Sequence, residues 1–178
     1  MANFNPVISK SNSTPDILLL GNLHPEIQLN SIKQIKKKPE LIILDTMNYW
    51  IENFWDTLKE VINNCDLISI NDEESEMITG EKDLEKAADG AELFNFENKF
   101  KSNAFKVAKV VDPTGAGDCF IGGIAGYLTE SDEISFDTIK SAIAYGTSIA
   151  SYNVENMGTK NLLNLSMDDI KIRTNKLN

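Results

Sequence analysis

The chain has 178 residues, 27 acidic and 17 basic, and a formal charge of −10, which argues against nucleic acid or an anionic membrane as its main partner. Hydrophobic residues make up 42%, ordinary for a globular protein, and no apolar run approaches the roughly 20 residues of a membrane span. Residues 1–13 lack a basic-then-apolar leader, and the two cysteines, Cys65 and Cys119, give neither a disulfide framework nor a metal spacing, so a reduced, cytoplasmic protein is expected.

Residues 1–15 read as an irregular lead-in. The apolar run 17–20 predicts a buried strand closed by Gly21-Asn22, followed by a helix with Ile27, Ile32 and Ile35 near one face and a solvated basic end, Lys36-Lys37-Lys38. Pro39 separates it from a second buried strand over 41–45. Residues 51–63 carry Ile51, Phe54, Trp55, Leu58 and Ile62 at helical spacing, and Tyr49, Trp50 and Trp55 fit a helix face on the sheet. A third strand over 67–70 ends at Asn71, which opens a short acidic helix that stops at Gly80. Strands that are apolar throughout and alternate with helices imply a parallel sheet covered on both faces. Next come a short helix over 83–88, a strand over 91–94, a turn over 95–101 between antiparallel strands, and a strand over 107–111. Helices over 116–128, 136–152 and after Ser166 complete the chain, the last with a near capping box in Ser166-Met167-Asp168-Asp169.

The stretch Asp112-Pro113-Thr114-Gly115-Ala116-Gly117-Asp118-Cys119-Phe120 is the most informative. A strand, a glycine turn and a helix start meet there, offering unpaired N–H groups and the positive end of the helix dipole. Gly115 and Gly117 lack a Cβ, so an anion can approach the backbone. An acid placed for the dipole would account for Asp118 by itself. Yet a carboxylate works against anion affinity, which suggests proton handling. Gly122, Gly123 and Gly126 each cost roughly 1 kcal/mol inside a helix and make sense where that helix packs closely.

Residues 112–123 resemble the signature of the ribokinase-like carbohydrate kinases, the phosphofructokinase-B family. The resemblance implies a three-layer α/β/α, mostly parallel, ribokinase-like fold, with residues 1–178 as a single domain forming its nucleotide-binding half. It implies ATP-dependent phosphorylation of a primary hydroxyl of a sugar or nucleoside. Asp118 would be the base, and Thr114, Gly115, Ala116 and Gly117 the anion hole. Asn71 and Glu74 match the family's Asn-x-x-Glu pattern, which organises Mg²⁺ and phosphate through water; a helix N-cap accounts for Asn71 equally. Ala150-Ser151 and Val154-Glu155 are similar to a late segment that borders the nucleotide, or a monovalent cation, in some relatives; a helix end and the loop after it account for them equally.

Asp45 and Asn48 sit at a strand end, where ligand contact and loop ordering are both open. His24, the lone histidine, reads as a turn residue before a helix. Against the family pattern, the glycine-rich substrate half and its β lid are absent. One internal strand between the helix over 83–88 and Gly90 also looks missing. A non-catalytic remnant or interaction module is therefore the alternative reading, and an oligomer or partner chain completing the sheet is one way to cover the gap. A dinucleotide-binding oxidoreductase is disfavoured, since no Gly-x-Gly-x-x-Gly follows the first strand.

Overall fold

Strands β1 (Ile17–Leu20), β2 (Leu41–Asp45) and β3 (Leu67–Ser69) form a parallel sheet in the order β1-β2-β3. Ile17 pairs with Leu41 and Ile43 with Leu67. The computed structural model describes residues 4–80 and 90–177; the expected helix over 83–88 and the junction before Gly90 lie outside them. The chain divides into two compact units, Met1–Lys86 and Ala87–Asn178.

In the first unit the burial of the central strand β2 matches its composition. Leu41, Ile42, Ile43 and Leu44 are all buried, as expected of a strand enclosed on both faces. Ile42 and Leu44 join Leu20, Leu29, Ile51, Leu58 and Val61 in one core cluster, where each large aliphatic contributes about 1.5–3 kcal/mol on burial. Helix α1 (Pro25–Gln34) starts at His24, whose Nδ1 accepts the Glu26 N–H at 3.2 Å. Proline at its first position loses no hydrogen bond there. Ile35, expected on its apolar face, instead ends it with an extended backbone.

The helix expected over 51–63 is two: α2 (Asn48–Asn53) and α3 (Trp55–Ile62), separated at Phe54 (φ −138°, ψ 30°). At this break the Phe54 ring lies 4.4 Å from His24 and 5.6 Å from Trp50. Aromatic packing of this kind outweighs the small helical preference of one residue. Trp50 and Trp55 pack against the core, whereas Tyr49 is half exposed. Helix α4 (Asp72–Thr79) follows β3 and closes at Gly80, whose φ of +74° is the left-handed C-terminal cap.

The second unit opens with an antiparallel hairpin, β4 (Gly90–Phe94) and β5 (Lys99–Asn103). Its turn is held by Asn95, whose Oδ1 accepts the N–H groups of Glu97 and Asn98. The strand expected over 107–111 does not form. The Val111 N–H donates to the Val154 carbonyl at 2.7 Å, and Val110 and Val111 stay exposed. β-branched residues favour a strand only where a neighbour pairs with them, and among the described residues none does.

Helices α5 (Ala116–Thr129) and α6 (Phe136–Asn153) pack through two glycines. A Cβ on Gly123 would lie 2.9 Å from the Gly146 Cα, and one on Gly146 would lie 2.5 Å from the Phe120 carbonyl oxygen. Gly122 and Gly126, expected to share this packing, face open space. Helix α7 (Met167–Thr174) starts in the expected capping box of Ser166 and Asp169. It is fastened to α6 by hydrogen bonds from Ser148 Oγ to the Ile170 carbonyl and from Tyr152 Oη to the Asp169 carbonyl.

Candidate active site

The turn before α5 is built from its backbone outward. Asp112 Oδ1 accepts the Thr114 N–H at 3.0 Å, and Oδ2 accepts the Gly158 N–H at 3.4 Å. The Thr114 amide, then its hydroxyl, then the Gly158 amide hold the Asp112 carboxyl below the usual aspartate range. The Ala116 N–H turns back to the Pro113 carbonyl at 3.2 Å. Gly115 then takes φ +79°, a conformation suited to glycine, and forms the N-cap of α5.

The first helical bond of α5 runs from the Cys119 N–H to the Gly115 carbonyl at 2.9 Å. Among the described residues, the N–H groups of Gly115, Gly117 and Asp118 therefore meet no acceptor. Of the four residues expected to form an anion hole, Thr114 and Ala116 spend their amides inside the turn and shape it. Gly115 and Gly117 keep theirs. A Cβ on Gly117 would meet nothing within 4 Å, and both Gly117 and Asp118 are exposed. Asp118 Oδ2 lies 4.0 Å from where a Gly115 Cβ would stand, so the carboxylate rides over the turn. A helix start with open amides and accessible backbone fits a phosphate group. The neighbouring Cys119 thiol is pushed up by burial and then by the Asp118 charge, which keeps it a poor nucleophile.

Beneath the turn lies Asn153, which the sequence pattern does not single out. It is the last residue of α6, it is buried, and its Nδ2 donates to the Thr114 carbonyl at 2.9 Å. The Val154 carbonyl accepts both Val111 and Asp112 N–H groups, at 2.7 and 3.3 Å. The available signal was a polar residue ending an otherwise small and apolar helix face, five residues before a glycine with φ +56°.

The first unit holds the other expected residues. Asn71 Oδ1 accepts the Glu74 N–H and Glu74 Oε2 accepts the Asn71 N–H, both at 2.9 Å, a complete capping box. Glu74 is buried, and that burial pushes its carboxyl above the usual glutamate range despite the bonds from Asn71. With Asn71 Oδ1 and Glu74 Oε2 so engaged, the pair suits a magnesium ion only through water, as that ion often permits. No group of three or more His, Cys, Asp or Glu among the described residues has metal-binding geometry. Asn48 Nδ2 donates to Glu73 Oε2 at 3.3 Å, and the Asp45 carbonyl accepts from Gln28 Nε2; the first joins the starts of α2 and α4 and the second ties α1 to the end of β2, the strand end where ligands bind in open α/β sheets. His24, expected as a turn residue before a helix, also caps α1 through its ring nitrogen.

An α/β chain with a parallel sheet and a glycine turn of open amides at a helix start has the parts of a phosphate-handling protein. The sequence matches the pfkB family carbohydrate kinase description over residues 18–165, and this chain belongs to that family. It is 30% identical over 130 residues to the cytidine kinase of Thermococcus kodakarensis, covering 61% of this chain and 46% of that protein. The structure is similar to the nucleoside kinase of Methanocaldococcus jannaschii (TM-score 0.75, 23% identity, 98% of this chain and 60% of that one). It is also similar to the fructokinase of Vibrio cholerae solved with fructose, ADP and calcium (TM-score 0.75, 18% identity, 96% and 63%). The fold is thus ribokinase-like, and the chain spans about half to three fifths of the length of these relatives.

Proposed function

We propose that residues 1–178 act as one nucleotide-binding half that transfers the γ-phosphoryl group of ATP to a primary hydroxyl of a sugar or nucleoside. The observation that carries this reading is the pairing of open Gly115, Gly117 and Asp118 amides with an exposed Asp118 carboxylate on the same turn. Asp118 takes the proton of the substrate hydroxyl, whose oxygen bonds to the γ-phosphorus while the bond from that phosphorus to the ADP oxygen breaks. The amides stabilise charge on the transferring group, and positioning with electrostatics supplies most of the rate in such transfers. Magnesium, when bound, would neutralise phosphate charge; Asn71 and Glu74 would hold it through water, and Asp45 and Asn48 would lie near the ligand. The family's nucleoside and sugar kinases support this substrate class. A cytoplasmic location, dependence on a monovalent cation, and an oligomer or partner chain completing the sheet belong to the same proposal.

Calorimetric titration with ATP and magnesium, repeated with EDTA and with potassium exchanged for sodium, tests the nucleotide half. A phosphorylation screen over sugars and nucleosides tests turnover. Asp118→Asn is expected to retain ATP binding and lower kcat by about 10²–10⁴-fold, the usual contribution of a positioned base. Binding without turnover for any acceptor, unchanged by Asp118→Asn, would instead make the chain a non-catalytic binding module.

A further inference from the structure

We infer that Asn153 is a positioning residue for this chemistry: it sets the plane of the Thr114–Gly115 peptide and thereby aims the amides that follow. The inference rests on the proposed role of the 112–118 turn. Thr114 supplies the carbonyl immediately before the left-handed Gly115, so the orientation of this peptide decides where the helix start points. Asn153 Nδ2 donates to that carbonyl at 2.9 Å. Its side chain is nearly fully buried, at 2% exposure, so losing the bond would leave a polar group without water to replace it. A Cβ on Gly115 would stand 3.8 Å from the same Nδ2, so Asn153 underlies the turn itself.

The residue is held in turn. Arg173 reaches from α7 with Nη2 2.6 Å from Glu155 Oε2 and Nη1 2.8 Å from Ser151 Oγ, its guanidinium 3.4 Å above the Tyr152 ring. Segment 151–155 is thereby fixed on both sides of Asn153. With the Val154 carbonyl and the Gly158 N–H, it meets residues 111–114 through four hydrogen bonds. A buried side chain tied to a backbone carbonyl and locked by its own neighbours is the arrangement that preorganises a site.

The test compares Asn153→Asp, which keeps size but removes the donor, with Ser148→Ala, which removes another buried hydrogen bond of α6 that does not reach the turn. Full-length variants are checked for folding by thermal melting and then titrated with MgATP, following the amide resonances of Gly117 and Asp118. Ser148→Ala is expected to lower Tm with wild-type shifts and affinity. Asn153→Asp is expected to weaken MgATP binding about tenfold and to lose the amide shifts. In turnover, kcat should fall on the order of 10²-fold, as for a small misplacement of the reacting groups, with acceptor KM within about twofold. Should Asn153→Asp not fold, Asn153→Ala decides by the same readouts. Wild-type-like affinity and shifts in a folded Asn153 variant overturn the inference and leave the phosphate reading standing. A flat titration of the wild-type protein itself overturns that reading and this inference with it.

Discussion

Gly115 shows how one residue can carry several demands. Its φ of +79° turns the chain into α5, and the same turn leaves the amides of Gly117 and Asp118 open. A side chain there would meet only ordinary contacts, Asn153 Nδ2 at 3.8 Å and Asp118 Oδ2 at 4.0 Å, so its obstacle is conformational rather than steric. Gly115→Ala should cost about 1–2 kcal/mol through the left-handed backbone, read as a lower Tm, and should weaken ATP binding if the turn relaxes. Unchanged stability would show that the turn tolerates another conformation. The glycine and acid pattern of residues 112–118 was legible in the sequence because backbone demands select residue types directly. Asn153 was not, since its contact with Thr114 spans 39 positions and depends on how α6 ends.

At the scale of elements, the strands of the first unit were legible because apolar runs of four or five residues between turn residues suit a buried strand and are too short for a helix. Caps at Asn71, Gly80 and Ser166 were legible for the same reason as the turn. The division of α2 from α3 was not, because the aromatic contact to His24 spans distant residues. Nor was the loss of a strand over 107–111, because a strand needs a neighbour that the local sequence does not specify. The α5–α6 contact gives a contrast within glycines. Gly146→Ala sets a Cβ 2.5 Å from the Phe120 carbonyl oxygen, against backbone that cannot step aside cheaply, and should destabilise by about 1–3 kcal/mol. Gly126→Ala meets nothing within 4 Å and should stabilise by roughly 1 kcal/mol through helix propensity. Chemical denaturation of the two variants checks both signs.

At the scale of the whole molecule, the shifted carboxyls of the two units lie on opposite sides of the usual range. In the second unit, Lys101 and Lys99 hold Glu92 low, Ser166 holds Asp169 low, and Thr114 with Gly158 holds Asp112 low. Depressed carboxylates contribute stability that is present above their unfolded pKa values, about 3.9–4.3, and is lost as pH falls through the folded ones. In the first unit, burial raises Glu74, whose contribution is present below its unfolded value and lost as pH rises through the folded one. Both tryptophans, Trp50 and Trp55, lie in the first unit, while the long helices α5 and α6 lie in the second. On acidification below about pH 4, helical circular dichroism should fall before tryptophan emission shifts. Coincident transitions would show that the units unfold together.

The stretch before the glycine turn, which forms no strand, has a consequence for how the protein behaves in company. Val107, Ala108, Val110 and Val111 would make a sticky β-forming window, and the last two are about half exposed. Lys109, itself exposed, interrupts that window with a charge. It stands as a gatekeeper, the kind of residue that keeps strand-competent segments of separate molecules from stacking into aggregates.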